Sequence, residues 1–473
     1  MPFDQFAQLH QATLDLLGQV GVFVESEAAL ALFAEHGVRI DISRQRVFPD
    51  AGQIDAMLAT VPHTFPVYGR DAASTPLTIG GETPYILAGG ASVRVLELDG
   101  QYAPATWEHL RQFITLLDAL PHIHVLLNQV DPVEQKPNYY LQIAAEMLIG
   151  TPKPSAVQVQ SAADLEAVIA MGACIRGSRA ALREQPLFLT GINAEPPLCI
   201  PDAAAEVLCL AARAGVPCGL GDYVMMGTTA PLTLAGALVQ RNAVQLTGLL
   251  LMQLAQPGAP CYYSAPSGAV DLHTLNPIMA NPFAARMLRT STQLGRSYGL
   301  PVWTLATTDA RQPDPQAACE RTAHLQIALA SGASLIQGPT SMMDQMMLSS
   351  FAQVIIDHDI IGYLLTAQAP VEVTEETLAM GAIREVVTDP LYREMKFGAH
   401  PHTVDHLHDA TWQPSAFDYR SFVEWQRDGA VSVVERAAAC VRQILAHHQP
   451  EPLNPAVAAR LRAIAEGALV ERG

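Results

Sequence analysis

The chain has 473 residues, 49% of them apolar, and a formal net charge of −18 at pH 7. That much apolar side chain supplies a large core and excludes a globally disordered protein. The acidic balance, with no basic stripe anywhere, excludes a nucleic-acid binder and mildly favours cationic ligands. Seven cysteines, at 174, 199, 209, 218, 261, 319 and 440, contain no CxxC pair and sit mostly in apolar stretches. They read as reduced, buried thiols of a cytoplasmic protein. The N-terminus lacks the basic-then-apolar pattern of a leader. The most apolar run, Leu246–Leu254, contains Gln253 and stops at Pro257-Gly258, too short to span a membrane.

In chain order, apolar residues recur with a helical period from Phe6 to Val20, and Gly21 ends that helix. A second helix runs from Ser26 to Glu35, and a short strand covers Arg46–Phe48. A third helix runs from Pro49-Asp50 to Thr60, and Thr64–Tyr68 is extended. Residues 1–82 read as an N-terminal helical subdomain. Eight strand candidates follow: Tyr85–Leu87, His124–Val130, Ala156–Gln160, Leu187–Ile192, Pro217–Asp222, Pro260–Ser264, Val302–Thr307 and Ser334–Gln337. Predicted helices lie between them at Thr106–Leu120, Tyr139–Ile149, Ala162–Arg176, Pro201–Ala214, Pro231–Leu254, Ala284–Tyr298 and Gln316–Ala330. Eight strands alternating with helices point to an α/β fold of the (β/α)8 TIM barrel type over residues 83–345. A doubly wound open sheet is the alternative. It calls for a Gly-rich dinucleotide turn, and Leu87–Ser92 lacks the G-x-G-x-x-G spacing.

Residues 346–473 read as a C-terminal helical extension. It begins with a helix from Ser350 to Leu365 carrying Asp357 and Asp359, then a helix from Thr374 to Met380. A His-rich loop with His400, His402, His406 and His408 follows, then helices at Ser421–Arg427, Val431–His447 and Pro455–Leu469. No cysteine neighbours the histidines and their spacing is not that of a metal site. A loop capping the barrel mouth is the expectation, with no metal.

In a barrel the residues just past each strand form one mouth, where the chemistry sits. Here the rim is rich in amides and tyrosines, including Gln158–Gln160, Asn193, Tyr223, Tyr262, Tyr263, Asp309 and Gln337. It lacks the Arg, Lys or Gly-rich nest that draws phosphate. Aromatic faces attract quaternary ammonium, each contact contributing about 0.5–2 kcal/mol. The turn Thr307–Gln316 is the sharpest feature. Asp309, nearest the strand end, is the site candidate. Asp314 reads as an N-cap with Pro315 at the first helical position, and Glu320 as a residue orienting a neighbour or facing solvent.

The runs Leu14–Glu25, Val47–Pro49, Tyr68–Asp71, Gly227–Leu238, Gln253–Pro260 and Tyr298–Pro301 resemble the trimethylamine methyltransferase superfamily in order and spacing. So do Thr308-Asp309-Ala310, Asp314–Glu320 and the tail Trp425–Arg436. The resemblance spans nearly the whole chain. It implies a (β/α)8 barrel that moves a methyl group from a methylated amine to the Co(I) corrinoid (cobalamin) of a separate carrier protein. Members acting on trimethylamine carry pyrrolysine. This chain has only standard residues, so the implied donor is a quaternary amine of the glycine betaine type. A quaternary nitrogen leaves as a neutral amine, so positioning and electrostatics suffice and no general acid or base is obligatory. On this reading Tyr223, Tyr262, Tyr263 and Trp303 form an ammonium cage. Asp309 and Gln316 stand nearest the chemistry. Gln337, Gln160 and Asn193 hold the rest of the substrate, and His402 caps the mouth. Three places depart from the family pattern and bear on the donor: Phe283 in place of an acid, Val244 in place of Glu, and the run from Thr388 in place of Gly-Pro-Gly-Gly. The alternatives are the same fold acting on a tertiary amine, a sulfonium or a methylated pterin, and a non-catalytic small-molecule binder. The expected assembly is a homo-oligomer.

Overall fold

A computed structural model describes residues 3–266, 268–392, 394–407 and 412–467. His408 and the end of the last predicted helix, to Leu469, lie outside the described residues.

All eight strand candidates fold as strands, and they close into one parallel barrel in chain order. They are β1 (Tyr85–Ala88), β2 (Val125–Leu126), β3 (Ser155–Gln158), β4 (Phe188–Asn193), β5 (Cys218–Gly221), β6 (Cys261–Ala265), β7 (Val302–Leu305) and β8 (Leu335–Gln337). Ring closure is the pairing of Leu335 with Tyr85 and Gln337 with Leu87. The helices that follow are α1 (Trp107–Asp118), α2 (Tyr139–Gly150), α3 (Ala162–Arg176), α4 (Asp202–Ala214), α5 (Leu234–Ala255), α6 (Pro282–Ser297), α7 (Pro315–Ala330) and α8 (Phe351–Gln368). Side-chain caps fix where they start. Thr106, Ser161, Asn281, Asp314 and Ser350 each accept a backbone N–H from the first turn. Asp314 accepts from Ala317 N at 3.0 Å with Pro315 behind it, as the sequence predicts.

The bottom of the barrel is stoppered. A hairpin, Phe65–Val67 paired with Leu77–Ile79, inserts Phe65, Val67 and Ile79 among the inward residues Leu87, Val125, Ala156, Leu189 and Leu335. The N-terminal part contributes more than helices. Val22–Val24, Arg39–Asp41 and Arg46–Phe48 form a sheet that takes in Cys199–Ile200 from the loop after β4, which sews this part to the barrel. In the C-terminal part, helix Val433–His447 packs on α8, and Pro455–Ala465 packs on α2 and α3. The Asp359 carboxylate on α8 accepts three backbone N–H groups, from Ser415, Ala416 and Phe417, at 2.7 to 2.9 Å.

One predicted helix is misplaced. Thr374–Met380 is a turn, and the helix runs from Met380 to Thr388. The hydroxyls of Thr374 and Thr377 bond to nearby backbone groups, and Ala379 is left-handed at φ 48°. Such local side-chain bonds compete with helix formation.

Candidate active site at the C-terminal mouth of the barrel

Alternate residues of each strand face the barrel interior. Their upper layer lines a cavity of about 150 Å³, walled by Gln158 of β3, Gly191 and Asn193 of β4, and Gly219 and Gly221 of β5. Tyr223, Tyr262 and Ser264 of β6, Trp303 and Gln337 complete it. Three glycines, Gly191, Gly219 and Gly221, make room for the side chains that line this space. The Tyr262 ring occupies the place of a Gly219 side chain, its Cε2 lying 2.2 Å from an ideal Cβ there. The Asn193 Oδ1 fills the same place at Gly221. Tyr262 crosses the interior and its hydroxyl donates to Thr190 O at 2.8 Å. Burial holds that phenol well above its ordinary pKa, so it is a neutral brace. Gln337 Nε2 donates to Gly89 O at 3.1 Å.

Two buried polar atoms of the wall, Gln158 Oε1 and Ser264 Oγ, have no hydrogen-bond partner among the described residues. Unpaired buried polar atoms are rare and costly, and at a cavity wall they mark where a ligand bonds.

A sulfur-rich cap closes the space toward solvent. Met279, Leu305 and Met342 pack together, flanked by Met225, Met346, Tyr223 and Trp303. The methionines come from the loops after β5, β6 and β8. The loop after β8 is under backbone strain, with Ser341, Asp344, Gln345 and Met346 at φ 66°, 46°, 57° and 73°. Asp344 ties it to Arg311 at 3.1 Å and Arg94 at 3.6 Å. Beneath it, the fully buried Arg321 donates to Ala306 O, Gly338 O and Met342 O and pairs with Asp357.

Of the residues singled out from sequence, Tyr223, Tyr262, Trp303, Gln337 and Asn193 meet at this cavity. Tyr263 does not. Strand alternation turns it outward, where its hydroxyl donates to Asn242 Oδ1 at 3.2 Å. Gln160 is exposed, and its backbone N–H caps onto Asp164. Asp309 ties loops together, since its carboxylate accepts from Met279 N and Ala280 N at 2.9 Å. Burial raises its pKa against those bonds. Gln316 lies on the first turn of α7 and bonds Glu320 Oε1 at 2.9 Å. Glu320 in turn accepts from Thr308 Oγ1 at 2.6 Å and Asp309 N at 2.8 Å. His402 is outside the cavity wall, on a short helix Pro401–Asp405 that packs on the neighbouring turn Lys396–Ala399. Its ring lies 4.4 Å from that of His406. Of the departures from the family pattern, Val244 is buried in the layer behind β5 and Phe283 is exposed on the first turn of α6.

Sequence reasoning missed one structural support. Gln245 on α5 donates to Leu220 O at 2.6 Å and accepts from Ser264 N at 2.9 Å, fixing the ends of β5 and β6. A polar residue inside a long, almost wholly buried helix was the available signal.

Eight parallel strands with a neutral pocket at their C-terminal ends define a (β/α)8-barrel enzyme. The fold resembles that of the monomethylamine methyltransferase of Methanosarcina barkeri, with a TM-score of 0.50 and 12% identity, over 94% of this chain and 88% of that one. The trimethylamine methyltransferase (MTTB) family model matches residues 1–467, so the chain belongs to that family and is a methyltransferase. It is 28% identical to a trimethylamine methyltransferase of Desulfitobacterium hafniense (strain DSM 10664 / DCB-2), over 98% of this chain and 92% of the relative. It is also 25% identical to a glycine betaine methyltransferase of Desulfitobacterium hafniense (strain Y51), over 97% and 95%. No described helix is long and apolar enough to cross a membrane.

Proposed function

We propose that this methyltransferase takes a methyl group from a small quaternary ammonium and passes it to a Co(I) corrinoid carried by a partner protein. The observation that carries this reading is the cavity itself. It is small, its wall is uncharged, and Tyr223 and Trp303 stand at its open end beneath an apolar cap. Such a wall suits a diffuse cation, which aromatic faces attract. Among the described residues it also holds no carboxylate, imidazole or amine to protonate a leaving group, and a quaternary donor needs none.

The corrinoid supplies the methyl acceptor. This chain's task is to hold the donor with one methyl toward the mouth and to keep water away. Gln158, Asn193 and Gln337 would orient the donor from below, Tyr223 and Trp303 would surround its nitrogen, and Met279 and Met342 would exclude water. The rim fits a docked carrier. Exposed Leu232, Leu272, Leu275, Phe283 and Met347 lie on the loops after β5, β6 and β8 and at the start of α6. We also propose that the chain works as a homo-oligomer in the cytoplasm. A cavity of about 150 Å³ argues against a methylated pterin as donor. Incubation with quaternary amines and reduced cobalamin, followed by absorbance of methylcobalamin, tests the reading. Trp303→Ala should lower kcat/KM by about tenfold or more, the loss of one aromatic contact. No methylation with any quaternary amine would sink it.

A further inference from the structure

The cavity also restricts what else the donor carries. Among the described residues, no Arg, Lys or His lines it. The buried guanidinium behind the wall, Arg241, has its charge offset by the neighbouring Asp222 carboxylate, and only its Nε lacks a hydrogen-bond partner among the described residues. It donates to Ser291 Oγ at 2.9 Å and Asp222 O at 3.0 Å. Asp222, beside Tyr223, is fully buried, and neither of its carboxylate oxygens accepts a hydrogen bond among the described residues. A second anion brought into this space would meet no cation in the described wall, would lie near the buried Asp222 carboxylate, and would lose its water.

Hydrogen bonding points the same way. Gln158 Oε1 lacks a donor and Ser264 Oγ lacks any partner among the described residues. An uncharged hydroxyl or amide can donate to Gln158 Oε1 and can equally accept from Ser264 Oγ. A carboxylate only accepts, and leaves Gln158 Oε1 unpaired. The volume, about 150 Å³, equals that of a cavity known to hold benzene, so the ligand has about six to eight heavy atoms.

We propose that the methyl donor is a compact quaternary ammonium whose second polar group is an uncharged hydroxyl or amide, and that the site discriminates against carboxylate-bearing betaines. This rests on the reading that the cavity binds a methylated ammonium. Calorimetric titration of the protein alone with choline, glycine betaine and tetramethylammonium tests it without any corrinoid. Choline should bind at least about tenfold more tightly than glycine betaine, the difference of one paired hydrogen bond and one unmatched charge. Gln158→Leu should weaken choline by about three- to tenfold and leave tetramethylammonium unchanged. Glycine betaine binding as tightly as choline, or more so, overturns the proposal and leaves the ammonium reading standing. Saturable binding by none of the three overturns both.

Discussion

The Tyr262 ring lies where Gly219 would carry a side chain, so the two positions are one design. Gly219→Ala should force the ring or β5 to move, costing about 1–3 kcal/mol of stability. Both the melting temperature and ligand affinity would drop. Tyr262→Phe keeps the ring and loses only the bond to Thr190 O, so about 1 kcal/mol is expected. The residue scale also shows what sequence could and could not reveal. Tyr262 and Tyr263 look equivalent as letters, yet the pleat of a strand lets only one of two neighbours face inward. That constraint is contained in the sequence once the strand is recognised. Asp309 stands at the right strand end, but its carboxylate serves two backbone N–H groups of another loop, and no local pattern announces that.

Among the elements, α7 was the most legible, because its cap and first-turn proline are local chemistry. Its deeper role was not. Arg321 on α7 joins the ends of β7 and β8 to α8 through Asp357, and both partners are fully buried. Arg321→Met should cost about 3–5 kcal/mol, because it strands a buried carboxylate. Chemical denaturation would measure this, and Asp357→Asn added to Arg321→Met should recover part of it. His324 on the same helix has its pKa lowered from 6.5 to about 4, first by burial and then by Arg321. A depressed histidine is neutral when folded and takes up a proton on unfolding. Its stabilising contribution is therefore present above pH 6.5 and lost as pH falls toward 4, on the order of 3 kcal/mol. His124 acts in the same sense, while Asp131 and Asp222, raised to about 7 and about 6, act in the opposite one. In His324→Asn the fall in melting temperature between pH 6.5 and 4 should be shallower than in the unmodified protein.

The architecture of the whole molecule was readable because eight apolar runs at even spacing, separated by helical periods, leave few other folds. The small sheets were readable only in part: Arg46–Phe48 and the extended Thr64–Tyr68 were expected and form strands, whereas their partners were not. Strands such as Val22–Val24 and Cys199–Ile200 are two or three residues long and exist only because distant segments pair. The His-rich stretch offered composition without geometry, and the described part of it packs locally.

The stopper at the barrel's base makes the pocket a blind alley. On the proposed reaction, with Phe65, Val67 and Ile79 filling one end, donor, demethylated amine and methyl acceptor share the one doorway that the described residues leave. Turnover must then follow a compulsory sequence, with the small molecule entering first and leaving only after the large partner has withdrawn. Initial-rate measurements should show inhibition by excess carrier that competes with the ammonium compound. Rates that rise monotonically with carrier at every donor concentration would mean that a second passage exists.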